Sequence, residues 1–327
     1  MRRLCSTLSS LVGAPDHLEV AVLGAERGRG VRCTRALQRG EVVLSAKPIG
    51  RAYTAWPSSV ERGDLCQVCA RPRGGGDRPG LPQCAPPCAP PCARITSPGS
   101  VDATTAKLVE QCDWSELEKL HREEGRKFPI IIGSILSRAL VELHRYGGEA
   151  SPTMSLLGQL CFAELLPSVV DGAGSDGGAA RDLAALLAAE HSALLDVFAK
   201  AGVVAEAAEL EGLFPLDAYV RSLGALQLNA FEVHSAHGVT FSAILDGCSS
   251  FFNHSCEPSL LVRPDKGSGA TEFVAAADVA AGEELCISYI DVEQSGTARR
   301  RTLHEKYGFA CKCSKCTTEE ALFALKR

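Results

Sequence analysis

The stretch that most constrains this chain is Phe251-Phe252-Asn253-His254-Ser255-Cys256-Glu257-Pro258, which crowds an amide, an imidazole and a thiol together before a proline stops the run. Groups of that kind at that density mark a site rather than a surface loop. Two further stretches follow: an apolar, strand-like run Leu285-Cys286-Ile287-Ser288-Tyr289-Ile290, then Tyr307-Gly308-Phe309-Ala310-Cys311-Lys312-Cys313-Ser314-Lys315-Cys316. Cys311, Cys313 and Cys316 offer three thiolates, one short of a tetrahedral zinc. A metal-buffering or iron–sulfur protein would also use CxCxxC, but neither accounts for the Asn253-His254 run upstream. Asn253-His254-Ser255 is formally a glycosylation sequon, a reading left empty by the lack of a secretory signal.

Composition narrows the class. A chain of 327 residues, 46% of them hydrophobic, can bury one large core or two modest ones. The net charge of -5 gives no reason to expect nucleic-acid binding. The chain has fifteen cysteines, and the CxxC and CxCxxC clusters among them, in a long chain without an apolar signal segment, read as thiolate metal sites in a reducing compartment. No apolar run has the length of a membrane span, so a soluble protein is expected. Arg2, Arg3 and several serines near the start would suit a transit peptide, but the simpler reading is a frayed tail over 1–17.

The three stretches, in this order, resemble the SET methyltransferases, specifically the SET-and-MYND branch of protein-lysine methyltransferases. The resemblance implies an α+β fold: small SET-domain sheets with a pseudoknot-like core, interrupted by a Cys-rich insert and a helical insert and closed by a C-terminal post-SET zinc segment. The expected organisation is a tail at 1–17, the first part of the SET domain at 18–60, a degenerate MYND-like insert at 61–112, a helical insert at 113–225, the SET core at 226–295 and the zinc segment at 296–327. The implied activity is methyl transfer from S-adenosylmethionine to a lysine of a protein, histone or non-histone, by a monomer in the nucleus and/or cytoplasm. The Rubisco-methyltransferase type of SET protein fits less well, because its C-terminal domain is helical and lacks CxCxxC. A cofactor-binding but non-catalytic interaction module is the alternative from another class.

Taken in order, Leu18 to Leu23 alternates as a strand, and Gly28 and Gly30 make a turn before a second strand-like run. This is not a dinucleotide fingerprint, since Cys33 stands where the third glycine belongs. A plain hairpin is the reading from the residues alone; the resemblance implies that Arg27, Gly28, Arg29 and Gly30 face S-adenosylmethionine, although relatives often have Asn where Arg29 stands. An Arg39-Gly40-Glu41 turn follows, echoed later by Gly282-Glu283-Glu284.

Cys66 and Cys69 form a CxxC, followed by Cys84, Cys88 and Cys92 among prolines, in a segment that only a metal would organise. One zinc on Cys66 and Cys69 with two of the other three, Cys88 and Cys92 being the pair adopted, competes with a disordered insert. Cys112 and His121 are too distant to substitute, and a redox CxxC lacks its βαβ context. Residues 101–228 read as helices: Leu183, Leu186, Leu187, Leu194, Leu195 and Phe198 share one face, as do Ile131, Ile135, Leu136, Leu140 and Leu143. The glycine-rich run Asp171 to Gly178 reads as a loop between helices, and His144 and His191 as surface or core-edge residues.

The remaining roles come from the resemblance alone. In Leu226-Gln227-Leu228-Asn229-Ala230-Phe231, otherwise an ordinary amphipathic element, it implies that Asn229 approaches the cofactor and Phe231 lines the lysine channel. Asn253 and His254 would hold the cofactor, and Phe309 would stack on its adenine. Tyr289, ordinarily a core strand tyrosine, would be the active-site tyrosine and touch the methyl region. Cys256 would complete the zinc site with Cys311, Cys313 and Cys316. Ser259 stands where the family usually repeats Asn after Pro258.

Overall fold

A computed structural model of the chain describes residues 8–10, 12–25, 27–53, 101–147, 151–163, 177–203, 207–234, 240–264 and 270–324. The chain divides into two units, Met1–Lys47 with Leu245–Arg327, and Pro48–Ile244.

The first unit carries two sheets. In one, β1 (Leu18–Gly24), β2 (Gly28–Cys33), β10 (Glu284–Ile287) and β7 (Asn253–His254) lie in that order. In the other the order is β3 (Val42–Ala46), β9 (Thr271–Ala275), β8 (Leu260–Pro264). The alternation read in Leu18–Leu23 holds only at its start: Leu18 and Val20 are buried on either side of a part-exposed Glu19, but Ala21 is buried too and Val22 is exposed. β10 is the pivot. It runs antiparallel to β2, with Leu285 opposite Val31, and parallel to β7, with Cys286 opposite Asn253 and Ile287 opposite His254. A parallel partner cannot be reached by a tight hairpin, so the chain between β7 and β10 makes a long excursion that contains β8 and β9. Phe252 and Phe273, both buried, stack at 5.0 Å between ring centroids and fasten that excursion to the start of β7.

The two Gly-Glu turns repeat in detail. Gly40 and Gly282 take φ of 85° and 87°, a region favourable only to glycine. In each turn the glutamate after the glycine accepts from the backbone N–H three residues earlier, Gln38 to Glu41 at 3.1 Å and Ala280 to Glu283 at 3.0 Å. Leu37 and Val279 then pair with each other through two backbone hydrogen bonds. The echo in sequence is thus a local structural repeat that seats β3 and β10.

The second unit is helical, with one three-stranded sheet of order β4 (Pro48–Tyr53), β6 (Thr240–Leu245), β5 (Phe231–His234). Its helices are α1 (Val101–Gln111), α2 (Ser115–Glu124), α3 (Phe128–Arg145), α4 (Pro152–Gln159), α5 (Gly177–Lys200), α6 (Ala207–Leu213) and α7 (Leu216–Asn229). The helical run therefore begins before 113 and ends past 225, and α7 carries straight into β5. The buried faces are those the periodicity marks: Ile131, Ile135 and Leu136 on α3, and Leu187, Leu194, Leu195 and Phe198 on α5. His191 departs from the sequence reading. It is a core residue, its Nε2 2.8 Å from the Phe214 carbonyl, whereas His144 is exposed. Helix amphipathicity does not distinguish a core-edge histidine from one satisfied by a backbone carbonyl.

Two buried carboxylates hold this unit together. Glu142 accepts from Ser151 Oγ at 2.6 Å, Thr153 N at 3.0 Å, Thr153 Oγ1 at 2.8 Å and Arg138 Nε at 3.1 Å, while Ser151 caps α4 through Met154 N. Glu190 receives Arg126 Nε and, at 3.1 Å, the Tyr219 hydroxyl, whose pKa burial and the Glu190 charge both push up. Removing the Glu142 carboxylate strands three buried donors, each worth about 1–3 kcal/mol when unsatisfied. Urea unfolding of Glu142→Ala should show a loss of at least that size, and an unchanged midpoint would mean that water replaces the carboxylate at no cost.

Candidate active site and metal centre

Asn253 sits where three strands meet. Its Nδ2 donates to the Arg29 carbonyl at 3.0 Å, to Glu284 Oε1 at 3.0 Å and, at 3.4 Å, to the Arg27 carbonyl. Arg27 grips the same carboxylate through Nε at 3.1 Å and Nη2 at 2.7 Å. Glu284 thus neutralises Arg27 and holds the β1–β2 turn against β7. The packing explains Gly30, where an added Cβ would come within 2.3 Å of Leu23 Cδ1 and 2.7 Å of Asn253 Nδ2. Its smallness serves the protein's own close approach to Asn253. Gly28 is the exposed residue that makes the turn, at φ +61°, and Arg29 lies over the Phe251 ring at 5.2 Å.

His254 follows in β7 and is buried, with both ring nitrogens engaged inside this unit. Nδ1 accepts the Tyr289 N–H at 3.0 Å, and Nε2 lies 3.3 Å from Cys256 Sγ. Burial first, and then the charges of Arg27 and Arg299, lower its pKa to about 4, so the ring is neutral at physiological pH. Tyr289 lies beyond the end of β10, not in a strand, because Ser288 turns the chain by bonding to Ile290 on both its carbonyl and amide sides. Its hydroxyl donates to the Phe252 carbonyl at 2.7 Å. Around it stand His254, Tyr307 and Phe309, at centroid separations of 5.4, 5.1 and 6.5 Å. Tyr289, Tyr307 and Phe309 are only half-buried, leaving aromatic surface accessible.

Beneath this aromatic group, the sulfurs of Cys256, Cys311, Cys313 and Cys316 all lie within 4.8 Å of one another, and those of Cys256 and Cys316 are 3.6 Å apart. Four thiolates on a tetrahedral zinc would be separated by ~3.8 Å for a Zn–S bond of ~2.3 Å, so the donor set fits that ion. Cys313 is already eased toward thiolate, its pKa lowered to about 7: burial opposes this, but the backbone N–H groups of Cys316 and Cys256 outweigh it. Burial pushes the Cys311 thiol up to about 11, and it raises Cys256 further still.

Sequence reading missed Arg299. It lies on α8 (Gly296–Tyr307), is 2% exposed, and donates to Glu319 Oε2 and the Gln294 carbonyl, both at 2.6 Å. Its guanidinium also interacts with the Cys256 and Cys316 sulfurs. Four thiolates on a divalent ion would carry net negative charge, which this buried arginine would offset. Glu319, one turn past Cys316 on α9 (Ser314–Ala324), anchors the far side of the guanidinium. The only sequence signal was an arginine cluster, Arg299-Arg300-Arg301, which reads as a solvated face. Ser259 is equally purposeful. It accepts the Cys286 N–H at 2.8 Å and so stitches the loop after β7 to β10.

Asn229 and Phe231 lie in the other unit. Asn229 Nδ2 donates to the Ala225 and Cys161 carbonyls, both at 2.7 Å, where it ends α7, and Phe231 opens β5 opposite Ala243. Cys112 and His121 are buried there, and burial pushes the Cys112 thiol up to about 11. Cys66, Cys69, Cys84, Cys88 and Cys92 lie outside the described residues. Among the described residues no helix is long and apolar enough to cross a membrane.

Comparison with known proteins gives this arrangement its family. The chain is 26% identical over 307 residues to histone-lysine N-methyltransferase ATXR4 of Arabidopsis thaliana, covering 90% of this chain and 84% of that one. It is 36% identical over 99 residues to a SET and MYND domain-containing protein of Dictyostelium discoideum, covering 29% of this chain but 19% of the relative. Among solved structures, the SET domain of LSMT bound to lysine and AdoHcy matches at a TM-score of 0.43 and 14% identity, over 94% of this chain and 56% of that one. The SET domain profile matches residues 28–290, from the Gly28 turn to the residue after Tyr289, and the chain belongs to the SET domain family.

Proposed function

We propose that the chain is an S-adenosylmethionine-dependent protein-lysine methyltransferase. The observation that carries this reading is the convergence of Asn253, His254 and Tyr289 at the β7–β10 pairing, within the stretch matched by the family. Relatives named for histone-lysine and protein-lysine methylation support a protein lysine as the acceptor. S-adenosylmethionine supplies a methyl group on a positively charged sulfonium. It would be held by the Arg27–Gly30 turn, Asn253, the backbone at His254, and the half-exposed ring of Phe309. The half-exposed aromatic surface at Tyr289, Tyr307 and Phe309 suits both a flat purine and a cation.

The protein's own work is to align a lysine amine and keep it neutral. A free lysine has a pKa near 10.4. An apolar, aromatic approach disfavours its ammonium by desolvation, and the sulfonium disfavours it by like charge. Tyr289 orients the amine, with its hydroxyl braced by the Phe252 carbonyl. Zinc on Cys256, Cys311, Cys313 and Cys316 is structural: it ties the loop after β7 to the C-terminal helices and so fixes Phe309. The organisation set out from sequence, with the SET core at 226–295 and the zinc segment at 296–327, belongs to the same proposal. So does a second zinc on Cys66, Cys69, Cys88 and Cys92.

Labelled S-adenosylmethionine incubated with whole-cell protein should yield labelled lysine. Tyr289→Phe should lower that rate about 100-fold, the scale of losing alignment at a reacting centre, while calorimetry finds cofactor affinity within about threefold. Equal loss of both would make Tyr289 structural, and binding without any labelled lysine would leave a non-catalytic module. Asn253→Ala removes the cross-tie between Arg29 and Glu284 and should weaken cofactor binding about tenfold or more; undiminished affinity would remove Asn253 from the cofactor site.

A further inference from the structure

We propose that His254 is a positioning residue, whose imidazole fixes Tyr289 to the sulfur of Cys256 and so makes the four-cysteine cluster part of the support for the active-site tyrosine. The inference rests on the reading of Tyr289 given above, but the link itself is a matter of hydrogen-bond chemistry.

A backbone N–H can only donate. Since the Tyr289 N–H points at His254 Nδ1 at 3.0 Å, Nδ1 is the acceptor. A neutral imidazole carries one proton, so it resides on Nε2, and Nε2 faces Cys256 Sγ at 3.3 Å. The sulfur must then accept. A metal-bound thiolate does this with no proton of its own in the way, and an N–H donated to a ligating sulfur is the usual support for such a ligand. The ring is 4% exposed, so water does not offer either nitrogen a substitute. If the proton sat on Nδ1 instead, two donors would oppose each other at 3.0 Å and the Tyr289 amide would be left unsatisfied. The chain Tyr289 N–H to Nδ1, Nε2–H to Cys256 Sγ is therefore the satisfied arrangement, and it has one direction. Tyr289 is held at a second point by its hydroxyl on the Phe252 carbonyl, just before β7. Fixing its backbone from the other side sets where that hydroxyl stands. With both nitrogens spent in this way, the imidazole has no side-chain hydrogen bond left for the cofactor.

The test uses the full chain with nitrogen-15-labelled histidine, with zinc bound. The expected long-range nitrogen spectrum shows His254 protonated on Nε2 with Nδ1 bare, and a proton on Nδ1 would overturn the proposal. Two variants separate the ends of the link. The His254→Asn oxygen can accept from Tyr289 but the side chain is too short for Cys256; the His254→Gln amide reaches Cys256 but leaves Tyr289. In cobalt-substituted protein, difference spectra should show the thiolate charge-transfer bands shifted in the Asn variant and retained in the Gln variant. The Tyr289 amide resonance should be retained in the Asn variant and displaced in the Gln variant. If both variants leave bands and resonance as in the parent, His254 links nothing. These readouts need no turnover, so a parent protein that proves inactive would count against the proposed function and leave the link standing or falling on its own. Where turnover is measured, both variants should lower kcat about tenfold or more with cofactor affinity nearly unchanged.

Discussion

The pairing of two short strands, β7 and β10, is the contact on which the rest of the site depends. It is parallel, so it brings together residues distant in sequence without a hairpin to enforce it, and it sets Asn253 beside Cys286 and His254 beside Ile287. Two backbone pairs would not hold by themselves. Side chains fasten the junction from each direction: Asn253 to Arg29 and Glu284, Ser259 to Cys286, and His254 to both Tyr289 and Cys256. Each of these is a buried or half-buried polar group with its partner supplied by another element, which makes the junction costly to open one bond at a time.

The cysteine cluster solves a problem of size. Cys256 lies just past β7, and the other three thiols bracket the connection from α8 into α9. Among the described residues, Leu303 is the one fully buried aliphatic residue packed with the sulfurs, with the part-buried Tyr289, Ile290, Val292, Tyr307 and Phe309 around them. Such a segment has little apolar area with which to fix itself, and a metal on the four sulfurs would supply ordering free energy. Arg299 places a buried positive charge beside these sulfurs, where it would offset the excess negative charge of four thiolates on a divalent ion.

Much of this was legible in the sequence where chemistry is local. The Asn253-His254-Ser255-Cys256 run and the CxCxxC cluster read as a site because reactive side chains at that density have few other uses, and helical faces on α3 and α5 followed from period. What stayed hidden depends on partners far away in the chain. Gly30 read as part of a turn that lets backbone approach a ligand, and a side chain there would also run into Leu23 and Asn253. His254 read as a cofactor contact, while its ring nitrogens are spent on Tyr289 and Cys256. Arg299 sat in a basic cluster on a helix whose pattern marks no apolar face, so nothing local distinguished the buried arginine from its neighbours. Ser259, a departure from the family pattern, proved to be a stitch across the junction.

If the metal cluster supports the junction, then 252–258, 284–292 and 304–316 are one cooperative unit. Hydrogen exchange of the full chain, followed by mass spectrometry before and after zinc is stripped with a chelator, tests this directly. The account predicts that all three segments lose protection together and regain it when zinc is restored, while the helical residues 128–145 and 177–200 keep theirs. Loss confined to 304–316, with 252–258 and 284–292 still protected, would contradict it and show that the junction stands without the metal.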